Sequence, residues 1–186
     1  MTYKLHTEDT APEGSKEVLG QVKQKYGFIP NAFGVMAEAP AVVKSYVALA
    51  QFLGETSLTE TERQIVLLTT SFANGCDYCM AAHSTVAQMQ KVPSDIIDAL
   101  RNNTPIGDKK LEALRRFTFE VTEKRGYPSE TVLRDFLASG YTQTQILEVV
   151  LGVSFKTLSN YTNHLAKTPL DEAFKKAEWQ KPAKAA

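Results

Sequence analysis

The chain holds two cysteines, spaced as Cys76-Asp77-Tyr78-Cys79, with His83 four residues further on. On a helix, positions i, i+3 and i+7 fall at about 0°, −60° and −20°, a single stripe. Two thiols one turn apart are within disulfide reach if the helix end adjusts slightly. His83, one turn beyond Cys79, is placed to exchange a proton with a thiol directly or through one water. Asn74-Gly75 just before the pair puts it in the first turn of its helix. Free amides and the positive end of the helix dipole there favour thiolate over thiol. A thiolate is the nucleophile toward both peroxides and disulfides. Attack on a hydroperoxide leaves a sulfenic acid, which a neighbouring thiol condenses to a disulfide. The three residues therefore supply an activated sulfur, a base and a resolving sulfur.

Two other chemistries use the same residue types. Free cysteines are often small interior side chains with no reactivity of their own. Two cysteines and a histidine also make three zinc ligands, but a structural site needs a fourth. His6 lies in the polar N-terminus and His164 far along the chain, so no metal is expected. A thioredoxin-like CxxC needs a βαβ pattern, and no strand alternation or hairpin signal is visible.

The elements that must position the stripe read as helices throughout. An amphipathic segment over Ser15–Tyr26, with Val18, Leu19, Val22 and Tyr26 on one face, stops at Gly27. Gly27-Phe28-Ile29-Pro30-Asn31 reads as a turn pinned onto the body. A helix over Ala41–Leu53 ends at Gly54. Thr59-Glu60-Thr61-Glu62 is a capping box opening a helix through Ile65–Leu68 and Phe72, apolar nearly all round and so central. The cysteine helix follows, over Cys76–Gln90. Pro93-Ser94 opens a short helix to Leu100, Asp108 caps a longer one closed by Gly126, and Pro128-Ser129 opens another ending at Ser139-Gly140. Thr142-Gln143-Thr144-Gln145 is a second capping box, for a helix through Val149–Leu151 and Phe155. From Ala177 the Lys/Ala/Pro-rich end reads as a frayed tail. The expectation is one all-α domain over 1–186, with 177–186 flexible.

An internal echo accompanies this pattern. A shift of 83 residues aligns Thr59 with Thr142, Val66 with Val149, Ser71 with Ser154, Phe72 with Phe155 and Tyr78 with Tyr161. It predicts a duplicated helical unit whose second copy carries Ser159 and Thr162 where the first carries Cys76 and Cys79.

Composition narrows the function classes. Over 186 residues, 21 Lys+Arg balance 21 Asp+Glu, which speaks against a nucleic-acid binder. No apolar run of spanning length occurs, and Met1–Glu17 is polar, so no membrane partner and a cytoplasmic location are expected. No nucleotide-binding fingerprint is present; no bound cofactor is expected, and a dithiol cycle would draw on an external electron donor.

From Thr61-Glu62-Arg63-Gln64-Ile65 through Asn74-Gly75-Cys76-Asp77-Tyr78-Cys79-Met80-Ala81-Ala82-His83, the sequence resembles the carboxymuconolactone decarboxylase / alkylhydroperoxidase D superfamily, on its peroxidase-related branch. The likeness continues in Gly27–Asn31, Asn160–Ala166 and Thr168–Asp171. It implies an all-helical fold with an internal repeat, homo-oligomers that are commonly trimers or hexamers, and thiol-dependent reduction of hydroperoxides. By position it implies that Cys79 attacks the peroxide, Cys76 resolves, and His83 belongs to the proton relay. Decarboxylase members lack both thiols. The chain departs from the family pattern twice. Gln64 stands where a relay glutamate is expected, and Tyr78 stands where a histidine often lies between the cysteines. An amide orients a water or an imidazole but takes no proton. Glu62 is two residues away, about 200° round the helix, and is expected to be occupied as a cap.

The expected function is a peroxidase-type oxidoreductase acting on (organic) hydroperoxides through Cys79, Cys76, His83 and Gln64, with an external thiol or protein as electron donor. The alternatives are a redox-sensing protein whose disulfide changes its assembly, and a protein-disulfide oxidoreductase, both kept open by Gln64. His164 is expected to stabilise a helix C-terminus, Phe117, Phe119, Phe136 and Phe155 to lie in the core or an interface, and Lys109-Lys110 and Arg115-Arg116 to be solvated. Trp179 is expected either exposed or anchored on a neighbouring subunit.

Overall fold

A computed structural model describes residues 3–182. Among them the regular elements are helical: α1 (Glu13–Tyr26), α2 (Asn31–Met36), α3 (Pro40–Gly54), α4 (Glu60–Asn74), α5 (Asp77–Met89), α6 (Ser94–Asn102), α7 (Lys109–Glu123), α8 (Glu130–Ala138) and α9 (Gln143–Ala166), then a 3₁₀ turn over Glu172–Ala177. The all-α expectation holds. None of these helices is long and apolar enough to cross a membrane.

Local sequence sets most boundaries. Both capping boxes form: Thr59 accepts from the Glu62 amide and Thr142 from the Gln145 amide, each reciprocated by the side chain three residues on. Asp108 and Ser129 cap α7 and α8. Gly27 ends α1 in the left-handed conformation, at φ 81°. Short α2 had no periodicity long enough to reveal it. Tyr26, expected on the buried face of α1, is exposed, while Leu19 and Val22 are buried.

Helix α4 is the central element, packed against α5, α7 and α9, with Ile65, Val66 and Leu68 fully enclosed. The main core joins α4 to α6, α7, α8 and α9. Phe117, Phe136 and Tyr141 stack face to face inside it, with centroids 4.3 and 4.4 Å apart. A second core holds Met36, Val43, Tyr46, Leu53, Leu67 and Phe155 between α3, α4 and α9. Helices α4 and α9 touch closely because Gly152 has no side chain; a Cβ there would meet Val66 Cγ1 at 2.6 Å.

The two echoing segments differ at their ends. Gly75 breaks α4 from α5, whereas Leu158 occupies the equivalent position and α9 runs on unbroken to Ala166.

Two further expectations are corrected. The chain is not frayed from Ala177 as far as it is described: Trp179 is buried against Phe72 of its own subunit, and its indole donates to the Arg101 carbonyl at 2.9 Å. Residues 183–186 of the expected flexible tail lie outside the described residues. Arg115 is not solvated but makes a two-pronged contact with Glu112 and reaches Asn103. His6 is buried, bridging the Thr10 carbonyl and Glu38.

Candidate active site

The dithiol sits where α4 hands over to α5. The Gly75 amide bonds back to Phe72 O at 3.0 Å and the Cys76 amide to Ser71 O at 2.9 Å, a paired closure that needs the left-handed Gly75 (φ 68°). Cys76 then takes an extended conformation as the N-cap of α5, which leaves Cys79 in the first turn. Both are free thiols, 1% and 2% exposed respectively.

The far wall comes from α9. Lys156, Ser159, Asn160 and Asn163 are spaced i, i+3, i+4 and i+7 and form one buried stripe. Asn163 Nδ2 donates to Cys79 Sγ at 3.2 Å, and Ser159 Oγ stands 3.9 Å from the same sulfur. Asn160 ties the corner together, accepting from Asn74 at 2.9 Å and donating to Ser71 Oγ at 3.4 Å. Asn163 Oδ1 is buried and has no partner. Lys156 is 1% exposed, and no carboxylate among the described residues lies within ion-pair distance of it.

The electrostatics follow from these neighbours. Burial alone would push Cys79 up. The adjoining Cys76 thiol, the Lys156 charge and the amides of Asn163 and Asn160 outweigh it and hold Cys79 well below the ordinary thiol range. Cys76 moves the other way, pushed up by Cys79 beside it and by burial. Lys156 keeps its proton: burial opposes the charge, but Cys79, Tyr46 and Cys76 more than offset it. The two sulfurs are thus pushed in opposite directions, Cys79 toward thiolate and Cys76 away from it, with the buried Lys156 beside them.

His83 is partly buried, and its Nδ1 lies 3.3 Å from Gln64 Oε1. Gln64 Nε2 in turn donates to Gln90 Oε1 at 2.8 Å. With the amide so oriented, Nδ1 carries the proton and Nε2 is the basic nitrogen. Burial, then Lys156, holds the imidazole well below its usual range, so it is neutral at neutral pH. The structure thus joins Gln64 to His83 and Cys76 to Cys79, while no hydrogen bond links His83 to either sulfur. Glu62 is occupied as expected, accepting from Thr59 and from the Tyr141 hydroxyl. His164 is exposed on the last turn of α9.

A strap closes the site. After α9 the chain folds back so that Leu170 and Phe174 pack on Ala32, Cys76, Tyr78 and Cys79. Its latch is Asp171, which accepts from the Tyr78 hydroxyl at 2.5 Å and from the Asn31 amide at 3.0 Å. Asn31 Nδ2 returns a bond to the Pro169 carbonyl at 3.0 Å. A cavity of about 130 Å³ flanks the strap, lined by Asp77, Tyr78, Thr168, Leu170 and Trp179 among others.

Sequence reasoning missed Lys156, Ser159, Asn163 and Asp171. One signal was available for Lys156: it follows an apolar run and has no carboxylate three or four residues to either side.

Residues 40–120 match the carboxymuconolactone decarboxylase family. The chain carries both cysteines and His83 within that stretch. Its fold is similar to that of an alkylhydroperoxidase AhpD core, an uncharacterized peroxidase-related protein from Ralstonia eutropha JMP134, with TM-score 0.81 and 24% identity over 92% of this chain and 93% of that one. A peroxidase-related protein from Silicibacter sp. TM1040 shares it at TM-score 0.77 and 18% identity, covering 91% of each chain. The debrominase Bmp8 shares it at TM-score 0.79 and 17% identity, covering 95% of each. No curated protein sequence matches this chain significantly.

Proposed function

We propose that this chain is a dithiol peroxidase of the carboxymuconolactone decarboxylase / alkylhydroperoxidase D superfamily that reduces small hydroperoxides with Cys79 and Cys76. The observation that carries the reading is the asymmetry of the pair: the Asn163 amide donates to Cys79 Sγ at 3.2 Å, and Cys76, the buried Lys156 and that amide lower Cys79, whereas Cys76 is raised. The Cys79 thiolate attacks the terminal peroxide oxygen, the O–O bond breaks, and the alkoxide leaves as alcohol after taking a proton. Cys79 becomes a sulfenic acid. The Cys76 thiol, losing its proton to the relay, attacks that sulfur, forms the S–S bond and expels water. An external thiol or protein donor reopens the disulfide. Asn163 Oδ1, buried and unpaired beside the sulfur, is the acceptor for the hydroperoxide O–H. Neutral His83, oriented by Gln64, moves protons through water. Both sulfurs being covered, the strap opens for each turnover.

Cys79→Ser is expected to abolish consumption of alkyl hydroperoxide in the presence of a dithiol reductant; a variant as fast as the parent removes the assignment of Cys79. A second reading, dithiol reduction of a carbon–halogen bond, has one support. A Cys-to-Ala variant of Bmp8, 16% identical to this chain, is solved in complex with 2,3,4-tribromopyrrole. The apolar cover of Leu170 and Phe174 over the thiols suits an apolar ligand. Bromide release from tribromopyrrole without peroxide turnover would select that reading.

A further inference from the structure

Lys156 is a buried cation whose partner must change with the redox state of the thiols. It is 1% exposed, and no carboxylate among the described residues lies within ion-pair distance of it. The buried carboxylates among those residues, Glu62 and Asp171, are engaged elsewhere, with Thr59 and Tyr141 and with Tyr78 and Asn31. The other groups facing Lys156 carry no negative charge. Burial pushes the Tyr46 hydroxyl above its ordinary range, so it keeps its proton, and burial holds His83 neutral. The Phe155 ring lies 5.5 Å from the ammonium. Cys79 is the neighbour that favours the lysine's charge most.

Polar hydrogens converge on the same sulfur. Asn163 turns Nδ2, not Oδ1, toward Cys79 Sγ, at 3.2 Å. Ser159 Oγ stands 3.9 Å away, and its hydroxyl, bonded to the Lys156 carbonyl at 3.1 Å, is able to rotate. Asn163 is 5% exposed and Ser159 fully buried. In a disulfide the sulfurs are neutral and about 2 Å apart, which draws Cys79 Sγ toward Cys76. Loss of a proton from Lys156 would remove the buried charge but leave the Asn163 N–H facing a poor acceptor. A single-atom anion satisfies both groups at once. Chloride and bromide match a thiolate sulfur in charge and closely in size, whereas sulfate is too large for a space one sulfur wide. We propose that Lys156, Asn163 and Ser159 form a halide site, filled when Cys79 carries no negative charge and above all in the disulfide state. The site rests on the dithiol–disulfide cycle of the reading above, but not on peroxide as the oxidant.

The full chain is oxidised with diamide, which takes two hydrogens from the dithiol and becomes the hydrazine; thiol counting checks closure. Chloride NMR line broadening then reads binding directly. Oxidised protein is expected to broaden the line, with bromide competing, and reduced protein is not. Cys79→Ala, which removes the sulfur without needing a disulfide, is expected to broaden it as well. Lys156→Met is expected to lose the effect, and Asn163→Leu to weaken binding about tenfold. At ten times the dissociation constant, chloride is expected to raise the melting temperature of oxidised protein by about 3–6 °C over sulfate of equal ionic strength. Reduced protein is expected to show no such difference. No broadening by either oxidised protein or Cys79→Ala overturns the proposal, as does full broadening by folded Lys156→Met. Should Lys156→Met not fold, undiminished binding by Asn163→Leu overturns it instead. If both thiols survive diamide, the dithiol cycle fails, while Cys79→Ala still decides the halide site.

Discussion

At the scale of single residues, the site depends on a buried charge pair that forms across two helices. No carboxylate among the described residues balances Lys156, and Cys79 is the group whose ionisation it favours. Because the folded Cys79 is depressed, its thiolate persists through neutral pH and is lost only on acidification. Alkylation of Cys79 is therefore expected to be flat across neutral pH. In Lys156→Met the midpoint is expected to move up toward the ordinary thiol value of about 8.5; an unmoved profile would remove Lys156 from the site. Gln64→Glu is expected to raise the peroxidase rate, since a carboxylate bonded to His83 takes protons where an amide does not. No rise would mean that position 64 takes no part in proton transfer. The local half of this site was legible: Cys76, Cys79, His83 and Gln64 lie on adjoining turns of two consecutive helices, and spacing alone relates them. Asn163, 84 residues from the sulfur it touches, was not, because periodicity marks a buried face without saying what that face meets.

At the scale of elements, capping chemistry was readable because it is short-range. Thr59/Glu62 and Thr142/Gln145 each satisfy helix ends within four residues, and both form. The strap was not readable, since Asp171 acts by reaching Asn31 and Tyr78 across 140 and 93 residues. Only the pinned character of the Gly27–Asn31 turn foreshadowed it. Asp171→Ala leaves the buried Tyr78 hydroxyl without its acceptor and the Asn31 amide without a partner. The expected cost is about 1–3 kcal/mol of stability, read by denaturant melts. The same variant is expected to react faster with a small alkylating agent at its thiols. If it is destabilised but no faster, the strap is not what controls access.

At the scale of the whole molecule, the all-helical architecture and its central α4 followed from one apolar helix flanked by amphipathic ones. The C-terminal segment did not: a polar stretch gives no hint that Trp179 docks on Phe72 and Arg101. Helix α9 joins the large scale to the small one, for the element that packs along the central α4 also backs the thiols. Its buried lysine has a last effect. Closing the disulfide erases the anion and leaves the ammonium stranded in a dry interior. Breaking a buried pair costs about 3–5 kcal/mol, while a bridge across so short a loop returns only about 2 kcal/mol. Oxidised protein is therefore expected to melt several degrees below reduced protein, and equal or higher melting would refute the charge pairing. The spent state is then the looser one, and loosening is what admits the molecule that must restore it.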